Sequence, residues 1–147
     1  MKSKELAEYL CKRLIAEGFA VQRYDAYKTD SIYLKLDFGV CNSIRIADHP
    51  GKRYLKYRYN IGSFVKKYRY ENKRGLPRLY FRQDQAEILM EQILRDRKSK
   101  IKRYGADRYQ RFMEENKAKN SQNKGFWQKS WIVGKGGKYE NHQSHGQ

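Results

Sequence analysis

The sequence predicts an α+β domain: an antiparallel sheet of about four strands, with an N-terminal helix and a C-terminal helical region on one face and a basic tail behind. Three observations predict it. Leucines recur at helical spacing near the N-terminus, and an apolar stripe recurs between residues 84 and 103. Between these stretches, apolar and polar residues alternate with a period of two. After Ala118 the composition turns to Asn, Gln, Ser, Gly and Lys.

In chain order, residues 3–17 read as the first helix. Ser3 is placed to cap it, Leu6, Leu10 and Leu14 line one face with Ala7 and Cys11 beside them, and Gly18 stands where a left-handed C-terminal residue belongs. Residues 19–27 read as a strand ending at a polar turn. Residues 31–38 alternate Ile32, Leu34, Leu36 and Phe38 against Tyr33, Lys35 and Asp37. Ile44 and Ile46 point inward around Arg45, and residues 49–52 carry tight-turn chemistry. Residues 53–61 alternate again, with Tyr54, Lys56, Arg58 and Asn60 expected on the face away from the helices. Residues 64–70 read as a further strand or an edge, 72–77 as a loop, and 79–81 as a short extended piece. A second helix opens at Asp84, whose spacing to Glu87 suits a capping box. Gly105 breaks it, and residues 106–117 form another. The domain is expected to span 1–117, with 118–147 as a flexible basic tail.

The charge is the main functional signal. The chain carries 33 Lys and Arg against 16 Asp and Glu, a formal net charge of +17. Residues 52–82 hold eleven of those bases and a single acid, Glu71. Eight Tyr and Phe rings are threaded among them. Cations neutralise phosphates and release counterions, and flat rings stack on bases without choosing among them. A surface this one-sided differs from the mixed charge of ordinary surfaces. The expected partner is therefore nucleic acid, RNA or DNA, held by Lys35, Arg45, Lys52, Arg53, Tyr54, Lys56, Arg58, Lys66, Lys67, Arg69, Lys73, Arg74 and Arg78. Phe126, Trp127 and Trp131 form an apolar cluster in a polar tail: either they are the contacts of a protein partner, or the cluster folds back on the domain.

Other chemistries are demoted. Cys11 and Cys41 match no zinc spacing and read as reduced thiols of a cytoplasmic protein. No apolar run approaches the length of a membrane span, and no signal peptide is expected. Gly134, Lys135 and Gly136 lack the strand and helix that a phosphate loop requires. His142 and His145 read as tail residues. No cofactor or metal is expected. The alternative function is a metal-dependent nuclease, with Asp37 and Asp48 meeting across neighbouring strands beside Lys35, or a DNA- or RNA-processing accessory protein. Asp30 and His49 are the other polar candidates there.

Residues 31–61, SIYLKLDFGVCNSIRIADHPGKRYLKYRYNI, resemble segments of small proteins from bacteriophages and other bacterial mobile elements. The resemblance implies a mobile-element setting. In that setting, anti-CRISPR proteins disable guide-RNA-directed nucleases. A basic member would hold guide RNA or target DNA, or engage acidic surfaces of the nuclease. The resulting expectation is a non-enzymatic, nucleic-acid-binding inhibitor of such a guide-RNA–nuclease complex.

Overall fold

The computed structural model describes residues 2–51, 57–73, 76–120 and 126–136. The order begins with helix α1 (Ser3–Ala16) and strands β1 (Ala20–Asp25), β2 (Ile32–Leu36) and β3 (Ser43–Ile46). Strands β4 (Tyr59–Gly62), β5 (Arg69–Lys73) and β6 (Leu76–Arg82) follow, then helices α2 (Ala86–Tyr104) and α3 (Ala106–Asn120) and strand β7 (Trp131–Lys135). All seven strands form one sheet in the order β5-β6-β4-β3-β2-β1-β7.

The expectation of about four antiparallel strands is overturned. The sheet is mixed: β3 with β4 and β4 with β6 run parallel, and the remaining pairs are antiparallel. Alternation finds a strand but carries no information on its direction or its neighbour. Parallel neighbours need a long crossover, and β3 ends at Ile46 while β4 begins only at Tyr59. At the far end, Gly62 lies so close to the Ala47 carbonyl that an added Cβ would fall 1.5 Å from its oxygen. Only glycine permits that approach. The loop expected over 72–77 is instead the return of a hairpin, with Tyr70 opposite Leu79 and Glu71 opposite Arg78. That hairpin carries β6 back between β5 and β4.

Residues 118–120, at the start of the expected tail, continue the last helix. α3 runs to Asn120, and β7 pairs antiparallel with β1 through a bulge between Val21 and Gln22. Residues 121–125 and 137–147 lie outside the described residues.

One face of the sheet is apolar. Leu34, Leu36, Ile44, Ile46, Tyr59, Ile61, Leu79 and Phe81 pack beneath α1 and α2. Leu6, Leu10 and Leu14 of α1 are at most 1% exposed, and such burial contributes roughly 1.5–3 kcal/mol per side chain. The helix ends as its sequence dictates: Gly18 at φ 82° donates to Ile15 O, and Phe19 N donates to Leu14 O. Ser3 does not cap. It is the first helical residue, and its hydroxyl turns to Asp48.

A second, smaller cluster closes the end of the sheet, with Ala20 and Phe38 against Tyr109 and Met113 of α3. Asp37 organises it. Asp37 and Phe38 both hold left-handed backbone, at φ 50° and 54°. That conformation persists only where surroundings impose it. The Asp37 carboxylate is wholly buried and accepts from Ala20 N (3.0 Å), Arg97 Nε (2.9 Å), Arg97 Nη2 (3.3 Å) and Tyr109 OH (2.6 Å). Arg97 also donates to Glu17 O and Gly18 O and lies 3.8 Å over the Phe19 ring. One ion pair thus ties α1, β1, α2 and α3 together.

Candidate nucleic-acid interface

The face away from α1 carries Gln22 and Tyr24 of β1, Tyr33 and Lys35 of β2, Arg45 of β3, Asn60 of β4, Arg78 and Tyr80 of β6, and Arg69 of β5. The registers Gln22–Lys35, Tyr24–Tyr33, Tyr33–Arg45, Arg45–Asn60, Asn60–Tyr80 and Tyr80–Arg69 set them in rows across the sheet. The rings of Tyr24 and Tyr33 stack at 6.3 Å, and Tyr57 lies 5.0 Å from Tyr33. Burial pushes the Tyr57 hydroxyl up.

Several of the expected contact residues are turned inward. Arg45 lies on this face but is 3% exposed: Gly51 packs on its guanidinium, Nη2 donates to His49 O (2.9 Å), and the Phe64 ring lies 5.7 Å away. Its Nε is buried with no hydrogen-bond partner among the described residues. Arg58 precedes β4, escapes its alternation and crosses to the helical side. There Nε and Nη2 donate to Asp96 Oδ2 at 3.2 and 3.1 Å, beside the Tyr59 hydroxyl on the same oxygen. Arg78, 7% exposed, faces Glu71 at 3.7 Å. Lys35 is half-buried, and desolvation lowers its pKa.

Residues 66–70 have the opposite character. Lys66, Lys67, Tyr68, Arg69 and Tyr70 are all exposed, and they run from the β4–β5 connection into the outer strand β5. Tyr70 is 56% exposed and Tyr68 42%. Arg69 stacks 4.5 Å over Tyr80 and meets Glu71 only at 3.9 Å. Phe64, Val65, Lys66, Lys67 and Arg69 line a shallow recess of about 240 Å³. No protein-family model matches this chain, and neither does any curated protein or solved structure.

Lys52, Arg53, Tyr54, Lys56 and Arg74 lie outside the described residues, as does the side chain of Lys73. Trp131 sits on β7 at the opposite edge from β5, 46% exposed with the Arg23 guanidinium 5.6 Å from its ring. Phe126 and Trp127 fall in a 3-10 turn just before it, and their side chains are outside the described residues.

The carboxylates do not assemble as the nuclease alternative requires. Asp37 follows β2 and Asp48 follows β3. Because these strands are antiparallel, the two acids stand at opposite ends of the hairpin. Asp48 instead joins a polar cluster that pure spacing does not reveal. It accepts from Ser63 Oγ (3.0 Å) and Ser3 Oγ (3.1 Å). Partial burial works against its ionisation, but the Ser63 and Ser3 hydrogen bonds outweigh that and hold its pKa below the ordinary value. Beside it, His49 Nδ1 meets Asp30 Oδ1 at 3.0 Å and Nε2 meets Ser31 Oγ at 3.4 Å. The order acid–imidazole–hydroxyl has the form of a nucleophile relay. Yet Ser31 is 2% exposed, which leaves its hydroxyl little room to attack a substrate. These contacts fasten the β1–β2 turn to the end of β3 and to the start of α1. Among the described residues no group of three His, Cys, Asp or Glu is disposed to hold a metal, and no helix is long and apolar enough to cross a membrane.

Proposed function

We propose that this chain binds nucleic acid through the exposed 66–70 segment and the adjoining sheet edge. One observation carries the reading: three cations and two rings stand exposed side by side, while the neighbouring arginines are consumed by the fold. Exposed lysines and an exposed arginine supply the phosphate contacts, and the tyrosines supply base-indifferent stacking. In the mobile-element setting implied by residues 31–61, the bound nucleic acid belongs to a ribonucleoprotein in the bacterial cytoplasm. A guide-RNA-directed nuclease, inhibited without catalysis by this chain, is the proposed instance. The test is binding to labelled RNA and DNA across a salt series. Log affinity should fall linearly with log salt, and a flat response sinks the proposal. Affinity purification from a bacterial host, with and without nuclease treatment, then separates a direct protein partner from one bridged by nucleic acid.

A further inference from the structure

We propose that the outer edge of the sheet selects single-stranded nucleic acid, seating a base between Tyr68 and Tyr70. This rests on the nucleic-acid reading above and adds the strand state and the contact. Tyr70 pairs in register with Leu79, and the Tyr68 ring lies 5.0 Å from that of Phe81. Leu79 and Phe81 point to the same side of β6, so both tyrosine rings stand on one side of the edge. Tyr68 immediately precedes β5 and Tyr70 is its second residue, and positions two apart in extended chain are separated by about 7 Å. That is twice the ~3.4 Å spacing of stacked bases, so one base fits between the two rings. Tyr68 is braced by Phe81, which limits the side-chain entropy that binding removes.

The cations are placed to follow a strand across this edge. Lys66 and Lys67 come just before the rings, and Arg69 projects between them to the other side, over Tyr80. β5 is the last strand of the sheet, with β6 its only neighbour among the described strands. A duplex has its bases already stacked and paired and offers no ring face to this slot. A single strand does, whatever its sequence.

The experiment is fluorescence anisotropy on the full chain with three labelled probes of about twelve nucleotides, within the usual site size of such grooves. They are an oligo-dT, the same length of duplex, and an oligo-dT whose central nucleotides are abasic. Single strand should bind at least roughly tenfold tighter than duplex, and abasic substitution should weaken it. Tyr70→Ala should cost roughly ten- to a hundredfold, while Tyr70→Phe keeps most of the affinity because the ring alone stacks. Tyr70 is the more informative site, since Tyr68→Ala also removes the packing on Phe81. If duplex binds as tightly as single strand, or if Tyr70→Ala and abasic probes change nothing while binding stays salt-dependent, the slot is overturned and the nucleic-acid reading stands. If neither these probes nor an oligo-U of the same length binds with a salt slope, both fall.

Discussion

Three arginines of the sheet region and the two lysines before β5 end in different places, with Arg69 exposed beside the lysines. Arg45, Arg58 and Arg78 are drawn into the molecule: one beneath a turn, one onto Asp96 of α2, one beside Glu71 of the neighbouring strand. Lys66 and Lys67 stay exposed on a connection, and no ion pair among the described residues includes them. The physical difference is in the head group. A guanidinium is a planar, weakly hydrated fork that satisfies several acceptors at once, whereas an ammonium is compact and strongly hydrated. Net charge therefore overstates the charge available to a ligand, because several of its arginines hold the chain's own elements together.

That contrast is tested most severely at the buried end. Replacing Arg97 with Ala removes the guanidinium from the buried Asp37 carboxylate, and loss of one partner of a buried pair costs about 3–5 kcal/mol. Urea denaturation measures it; a loss under ~1 kcal/mol would show that this arginine is no more structural than an exposed one. Next in size is Asp96→Ala, which strands Arg58 and the Tyr59 hydroxyl and should destabilise by about 1–3 kcal/mol. Its nucleic-acid salt slope should match that of the unmodified chain. A changed slope would place Arg58 among the ligand contacts after all.

The paired change Lys66→Ala with Lys67→Ala should do the reverse. Stability should move by no more than ~0.5 kcal/mol, while the salt slope shrinks by about one unit for each phosphate that is no longer neutralised. Unaltered binding would move the interface elsewhere. The smallest effect is expected at an exposed pair that joins the two helices. Arg13 donates to Glu87 at 3.0 and 2.8 Å, and Tyr9 OH donates to the same carboxylate. These contacts hold the Glu87 carboxyl at about 2, below its ordinary 4.5. A depressed folded pKa means that this contribution is present above pH ~4.5 and is lost as pH falls towards 2. The difference in urea midpoint between the unmodified chain and Glu87→Gln should therefore close over that window. A difference that stays constant would show that the pair adds nothing to acid stability.

How much of this was legible varies by element. α1 and α2 announce themselves because one apolar stripe at helical spacing suffices, and β1 to β3 because their hairpins are local. Asp37 was legible only as a polar residue at a strand end. Its partners Arg97 and Tyr109 lie sixty and seventy-two positions away, and no spacing rule connects them. Likewise, the Asp30, His49 and Ser31 contacts depend on two turns meeting in space. Trp131 was visible as an apolar residue in a polar stretch, but its strand could not be assigned to the sheet without β1 as partner.

The chain by itself determined which segments are amphipathic, where the first helix stops, and that bases and rings are crowded between residues 52 and 82. These are properties of neighbours in sequence, set by local backbone geometry and side-chain type. Only the tertiary structure decided which strands run parallel, that residues 131–135 close the sheet beside β1, and which cations remain exposed to solvent. Those outcomes depend on distant groups competing for the same buried acceptors, and that competition is settled only when the sheet and helices have packed.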